Sequence, residues 1–327
     1  MSLNSELELR AERFNQYWLR FLPETEPSEL YQAARHLPLG GGKRMRPVLA
    51  MVACEAVNGS VDQVLAFGAA LELMHNFTLV HDDIMDCSKL RRGVPTVHME
   101  YSEPTAILAG DLLFAKSFEA MHQLTIKLDV IKALEAELIQ CIIDICEGQE
   151  YDMGFEQRDQ VSEQEYLQMI EKKTAVLFKL ATRGGAVVAG ATPEHVEALT
   201  TYGYCLGMAF QIWDDYLDMS SDEQTLGKDI GNDIRNGKKT LIAVHALEHA
   251  QPDQQTRLHS IFGNRKATDD QINEVLDLFR SIGSIEYVKT VAQRFHAQAV
   301  EALQVLPPSD ARQFLEEMVT YAIQREK

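Results

Sequence analysis

The chain carries the same acidic pattern twice. Asp82-Asp83-Ile84-Met85-Asp86 and Asp214-Asp215-Tyr216-Leu217-Asp218 each follow a largely apolar run. On a helix turning about 100° per residue, the first and last aspartates of each group fall about 40° apart on one face. Like charges at that spacing repel by about 0.2–0.5 kcal/mol, and carboxylates near a helix C-terminus oppose its dipole. Nothing local favours such a cluster. A hard divalent cation does, because carboxylate oxygens with open positions suit Mg²⁺ that keeps waters and takes further ligands from phosphates. One copy alone reads more readily as a solvated helix end; two copies, each followed by a basic loop, point to metal and phosphate.

Cations accompany both groups. Arg91-Arg92-Gly93 follows the first by a few residues and suits diphosphate oxygens through forked guanidinium contacts. Upstream, Gly40-Gly41-Gly42-Lys43-Arg44-Met45-Arg46-Pro47 sets three cations and flexible backbone before a proline-started helix, an anion cradle that lacks the P-loop pattern. His75 shares the Asp82 face to within about 20°, although a lone histidine is more often a satisfied core residue. After the second group, Lys228 and Lys238 lie on glycine-containing loops and can reach a metal-bound diphosphate. Lys172-Lys173-Thr174 and Gln211 say less in isolation, since paired helix lysines are usually solvated.

The elements that must hold these residues read as helices throughout. Apolar residues recur at three- and four-residue steps, and no sustained two-residue alternation supports strands. Helices are predicted from about Ser5 to Leu22, Ser28 to Leu37, Met45 to Val57, Val61 to Asp86, Pro104 to Gln123, Leu128 to Tyr151 and Ser162 to Ala181. Another starts at the Thr192-Pro193 cap and reaches about Asp218, and four short helices fill Thr240 onward. Cys87 to Val97 and Ser220 to Lys239 are predicted loops. No glycine- or serine-rich linker divides the chain, so the expectation is all-α: a single domain over residues 1–327, a large helical bundle with the ligand pocket among its helices.

At 327 residues and 46% hydrophobic content, the chain can bury a large core. A formal charge of −18 without long basic runs disfavours nucleic acid and anionic membranes as partners. Five cysteines without a CxxC pair fit a reducing cytosol. No leader pattern opens the chain and no uninterrupted apolar run approaches the roughly 20 residues of a membrane span, so the expectation is a soluble cytoplasmic protein with no transmembrane segment.

Taken together, Gly42 to Pro47, Asp82 to Asp86, Arg91-Arg92-Gly93, Gly148-Gln149 with Asp152, Lys173-Thr174, Gln211, Asp214 to Asp218 and the two later lysines resemble the trans-isoprenyl (polyprenyl) diphosphate synthases, from about Leu39 to Thr240. The resemblance implies the isoprenoid-synthase helical fold, a homodimer, and prenyl transfer between isopentenyl diphosphate and dimethylallyl, geranyl or farnesyl diphosphate. By the same resemblance, Asp82, Asp86 and Asp214 hold Mg²⁺, three ions with the allylic diphosphate bound, and Asp83, Asp215 and Asp218 are direct or indirect partners. Arg91, Lys173, Lys228 and Lys238 complete that anion site. Lys43, Arg46, His75 and Arg92 take isopentenyl diphosphate, and Thr174 and Gln211 face the allylic cation. Met74, Phe77 and Thr78 occupy the family's chain-length positions. An aromatic at position 77 resembles the geranylgeranyl (C20) synthases, with farnesyl (C15) or C25 products as alternatives. An ideal helix turns Phe77 about 140° from Asp82, so a bent helix or a neighbouring chain is needed to bring its ring to the pocket. A terpene cyclase shares DDxxD but has no second diphosphate for the Lys43–Arg46 and Arg91–Arg92 clusters to hold; a noncatalytic synthase subunit normally tolerates loss of one acidic motif, and both are intact.

Overall fold

A computed structural model describes residues 2–220 and 231–325, and among them helix dominates. In chain order the helices are α1 (Leu3–Trp18), α2 (Ser28–Leu39), α3 (Met45–Ala56), α4 (Val61–Met85), α5 (Val97–Glu100), α6 (Glu103–Met121), α7 (Leu128–Glu156), α8 (Glu163–Ile170), a π-helical turn (Glu171–Ala175), α9 (Val176–Val188) and α10 (Pro193–Ser220). After these come α11 (Gly231–Asn236), α12 (Leu241–His249), α13 (Pro252–Ile261), α14 (Asp269–Ile282), α15 (Ser284–Ala302) and α16 (Asp310–Ala322). The all-α expectation holds. Two local expectations do not. The loop predicted over Ser220 to Lys239 contains α11, and five helices rather than four follow Thr240. The Cys87 to Val97 loop carries a minimal antiparallel ladder, β1 (Leu90–Arg91) with β2 (Val94–Pro95), pairing Arg91 with Val94.

The described residues group into two compact units. The first gathers Met1–Leu138, Leu180–Leu199 and Val305–Leu315. Its centre is α4, which packs on α3 and α6 and is apolar around nearly its whole circumference, as a core helix must be. By length and composition α4 is also apolar enough to cross a membrane, but 72% of its most apolar window is buried within the protein. Gly184 is required here, because a Cβ there would enter the Phe67 ring of α4. Ser102 caps α6 by accepting from the Thr105 amide, with Pro104 in the first turn.

The second unit gathers Ile139–Lys179, Thr200–Gln304 and Glu316–Lys327. Its most apolar element is α12, with Leu241, Ile242, Ala243, Val244 and Ala246 buried against α8, α14 and α15. α8 opens on a capping box in which Ser162 and Glu165 each satisfy the other's backbone N–H. All five cysteines are free thiols.

Candidate active site

In the first unit α4 ends abruptly at the first acidic group. The Ser88 amide bonds the Asp83 carbonyl at 2.9 Å and the Cys87 amide bonds Ile84 at 3.1 Å, a Schellman closure around Cys87 at φ 52°. Cysteine stands where glycine is usual, and the turn forms regardless. The chain then enters the β1–β2 hairpin, whose two-residue turn, Arg92-Gly93, has φ of 54° and 80°, both left-handed. That turn matches the strand twist and sends the two adjacent arginines to different partners. Arg91 grips Asp83 with Nε at 2.9 and 3.0 Å from its two oxygens, and lies 3.9 Å from Asp82. Arg92 donates to the Gly41 carbonyl of the glycine loop. The three carboxylates therefore differ: Asp83 is buried and neutralised, Asp82 is partly open, and Asp86 is exposed.

A second feature lies two turns back along α4. Arg46 contacts His75 Nε2 at 3.1 Å. Burial first, then Arg46, Arg92, Arg91 and Arg44, hold the His75 imidazole well below its ordinary pKa. It is neutral at physiological pH, so Nε2 accepts from the guanidinium and the proton sits on Nδ1. Four arginines surround this neutral histidine, and although Arg91 and Arg44 are paired with Asp83 and Glu72, the locus stays positive and suits an anion. Lys43 is exposed on the neighbouring loop. Arg44, in contrast, belongs to the scaffold: left-handed at φ 49°, it pairs with buried Glu72 at 2.9 Å, bonds Asn15, and lies under the Trp18 ring. Of the three cations at positions 43, 44 and 46, Arg44 is thus committed to the scaffold.

The second acidic group is organised by hydrogen bonds within the second unit. Asp215 is 5% exposed and accepts from the Tyr166 hydroxyl at 2.7 Å and from Gln211 Nε2 at 3.0 Å. Burial pushes its carboxyl up to about 6, against the opposing pull of Lys238. Gln211 Oε1 in turn accepts from Thr174 at 2.9 Å. Asp214 is more open, its side chain 44% exposed, and pairs with Arg325 at 3.0 Å. Asp218 continues α10, but its side chain lies outside the description, and Lys228 lies outside the described residues.

The π turn Glu171–Ala175 accounts for Lys173 and Thr174. One extra residue per turn lets Lys172 reach Asp144 and Glu147, and Lys173 reach Asp152, all on α7. It also carries Thr174 to Gln211 on α10. Gly148 permits this, since a Cβ there would collide with the Lys172–Lys173 backbone. The later lysine pair divides as well: Lys238 acts electrostatically on Asp215, whereas Lys239 is buried, donating to Gly237 O at 3.0 Å and lying over Phe262.

Of the chain-length positions, Met74 is fully buried and Thr78 turns back to donate to the His75 carbonyl at 2.8 Å. Phe77 packs edge-on to His81 and against Phe114 of α6, which meets Phe118 in turn. Its ring therefore follows the α6 face of α4, as the ideal-helix angle requires. Tyr166 was invisible as a site residue; the only signal was a phenol on an apolar helix face, which needs a buried acceptor. Arg325 had no signal at all.

Among the described residues no three His, Cys, Asp or Glu side chains converge into a cage. Asp82 and Asp86 in the first unit, and Asp214 in the second, each nevertheless offer hard oxygens with solvent access, the donors Mg²⁺ takes one or two at a time beside water and substrate phosphate. Comparison with known proteins decides the family: the polyprenyl synthetase model matches residues 27–279. The chain belongs to the polyprenyl synthetase family. It is 44% identical to a short chain isoprenyl diphosphate synthase of Methanothermobacter thermautotrophicus, over 98% of this chain and 96% of that one. It is 41% identical to a geranylgeranyl diphosphate synthase of Methanosarcina mazei, over 100% and 99%. The crystal structure of geranylgeranyl pyrophosphate synthetase from Pyrococcus horikoshii superposes with a TM-score of 0.95 at 40% identity, covering 99% of this chain and 98% of that chain. This polyprenyl synthetase is accordingly a prenyltransferase of all-α fold.

Proposed function

We propose that this polyprenyl synthetase joins isopentenyl diphosphate to dimethylallyl, geranyl and farnesyl diphosphate in turn and releases geranylgeranyl diphosphate. The observation that carries the reading lies along α4. A carboxylate group at its end suits a metal-bound diphosphate, and a separate cationic locus around neutral His75 suits a second diphosphate without metal. A cyclase needs only the first. The C20 end point is supported by the relatives named geranylgeranyl diphosphate synthase.

In this reading the whole chain acts as one catalytic domain, supported by relatives aligned over its full length, and both acidic groups serve the allylic diphosphate. Asp82, Asp86 and Asp214 would hold Mg²⁺, three ions when loaded, with Asp83, Asp215 and Asp218 behind or beside them, and the metal would supply positive charge against the leaving diphosphate. Arg91, Lys173, Lys228 and Lys238 supply the remaining positive charge. Lys43, Arg46, His75 and Arg92 orient isopentenyl diphosphate so that its double bond faces the allylic carbon. Thr174 and Gln211, locked to each other and to Asp215, face the developing cation, and no side-chain nucleophile is required. The departing diphosphate takes the final proton. Met74, Phe77 and Thr78 set the product length, Phe77 through its tilted contact with Phe114 of α6. A homodimer is supported by exposed Ile107 and Leu108 on α6 and by Ile139 and Ile143 on α7. A cytoplasmic setting is supported by five free thiols.

The test is product analysis by mass spectrometry with Mg²⁺, isopentenyl diphosphate and each primer separately. A C20 end point from all three primers supports the reading; no incorporation with any primer sinks it.

A further inference from the structure

Arg325 follows α16 and reaches the second acidic group from outside any pattern the family resemblance uses. Its guanidinium lies 3.0 Å from Asp214 Oδ1, donates to the Phe210 carbonyl at 3.1 Å and sits 3.8 Å over the Phe210 ring. Its own carbonyl accepts from Trp213 Nε1 at 3.1 Å. The side chain is 8% exposed although its partner Asp214 is 44% exposed. Four contacts to residues 210, 213 and 214 thus hold a cation on the carboxylate that the proposed function gives to a metal.

We propose that Arg325 is a positioning residue that occupies Asp214 in the metal-free enzyme and is displaced when metal and diphosphate bind. This rests on the reading of Asp214 as a metal ligand. A metal on the Asp214 carboxylate brings a second positive charge within a few ångströms of the guanidinium, and that repulsion opposes the ion pair. Until then, the guanidinium offsets the repulsion between Asp214 and Asp215 and keeps the open carboxylate in place. Because the Arg325 carbonyl is tied to Trp213, displacement also releases the segment after α16 and changes the surroundings of one of only two tryptophans in the chain. Apparent affinity is the intrinsic affinity reduced by the fraction of molecules in which Asp214 is accessible.

The test uses the full-length protein, labelled with 5-fluorotryptophan, titrated with Mg²⁺ and inorganic diphosphate by calorimetry and fluorine NMR; Trp213→Phe assigns the line. Arg325→Ala is expected to bind Mg²⁺ and diphosphate roughly two- to fivefold more tightly than wild type, and Arg325→Lys to return toward wild type. The Trp213 line is expected to move on loading in wild type and to move less in Arg325→Ala. Unchanged or weaker binding by Arg325→Ala, or an equal movement of the line in both, overturns the proposal. Asp214→Asn separates the two readings: its loss of saturable binding keeps the metal role whatever Arg325 does, whereas undiminished binding overturns the metal role and the displacement together.

Discussion

Replacing Asp215 by Asn is expected to stabilise the metal-free protein by an amount that depends on pH. Asp215 is buried, and its carboxyl is raised from the ordinary 3.8 to about 6, by burial first and then by Asp214, while Lys238, Tyr166 and Gln211 pull the other way. A carboxyl whose pKa is higher folded than unfolded holds its proton more tightly in the folded state, so the wild type loses stability as pH rises from about 4 through about 6 and keeps that deficit above. At about 1.4 kcal/mol per pH unit, the deficit reaches about 3 kcal/mol. Asparagine carries no charge to bury. Its Oδ1 still accepts from Tyr166, and the altered contact with Gln211 costs about 1 kcal/mol at every pH. Urea denaturation in chelator at pH 4.5 and pH 8 reads the difference. The Asn variant should gain about 2 kcal/mol or more relative to wild type between the two pH values. A wild-type-minus-variant difference that stays flat with pH would refute the argument that burial of this charge dominates its environment.

Gly148→Ala should destabilise by about 1–3 kcal/mol, because the new methyl must push the π turn away from α7, and activity should fall further than stability as Lys173 and Thr174 shift. Thermal melts and steady-state kinetics report both; a normal enzyme would mean the close approach is dispensable. Arg44→Ala leaves Glu72 buried and unpaired and should cost about 3–5 kcal/mol, with urea midpoints as the readout, while a loss below 1 kcal/mol would return Arg44 to the ligand-binding cations. Phe77→Ala should lengthen the product if its contact with Phe114 bounds the prenyl chain; unchanged chain length would leave Phe77 a packing residue.

The acidic motifs and most helices were legible because their signals are local: a spacing of four on one face, apolar residues every three or four positions, and a cap such as Thr192-Pro193. What was not legible depends on partners distant in the chain. The π turn at Glu171–Ala175 exists where Gly148 lets two helices touch, and no pattern within residues 162–181 announces it. Arg91 and Arg92 read as one basic pair, but a left-handed two-residue turn sends them to Asp83 and Gly41. Arg44 read as part of an anion cradle until Glu72, 28 residues away, took it. After Thr240, a single left-handed glycine, Gly283 at φ 85°, separates α14 from α15, too brief a break to register as a loop.

The central claim is that both acidic groups act on one allylic diphosphate through metal while the fold stands without them. Isopentenyl incorporation by Asp82→Ala and Asp214→Ala, measured at saturating Mg²⁺ beside their circular dichroism melts, tests it most directly. Turnover reduced by at least about a hundredfold in each variant, with melting unchanged or raised by removal of a repulsive carboxylate, is the predicted result. Near-normal turnover in either variant would contradict the claim.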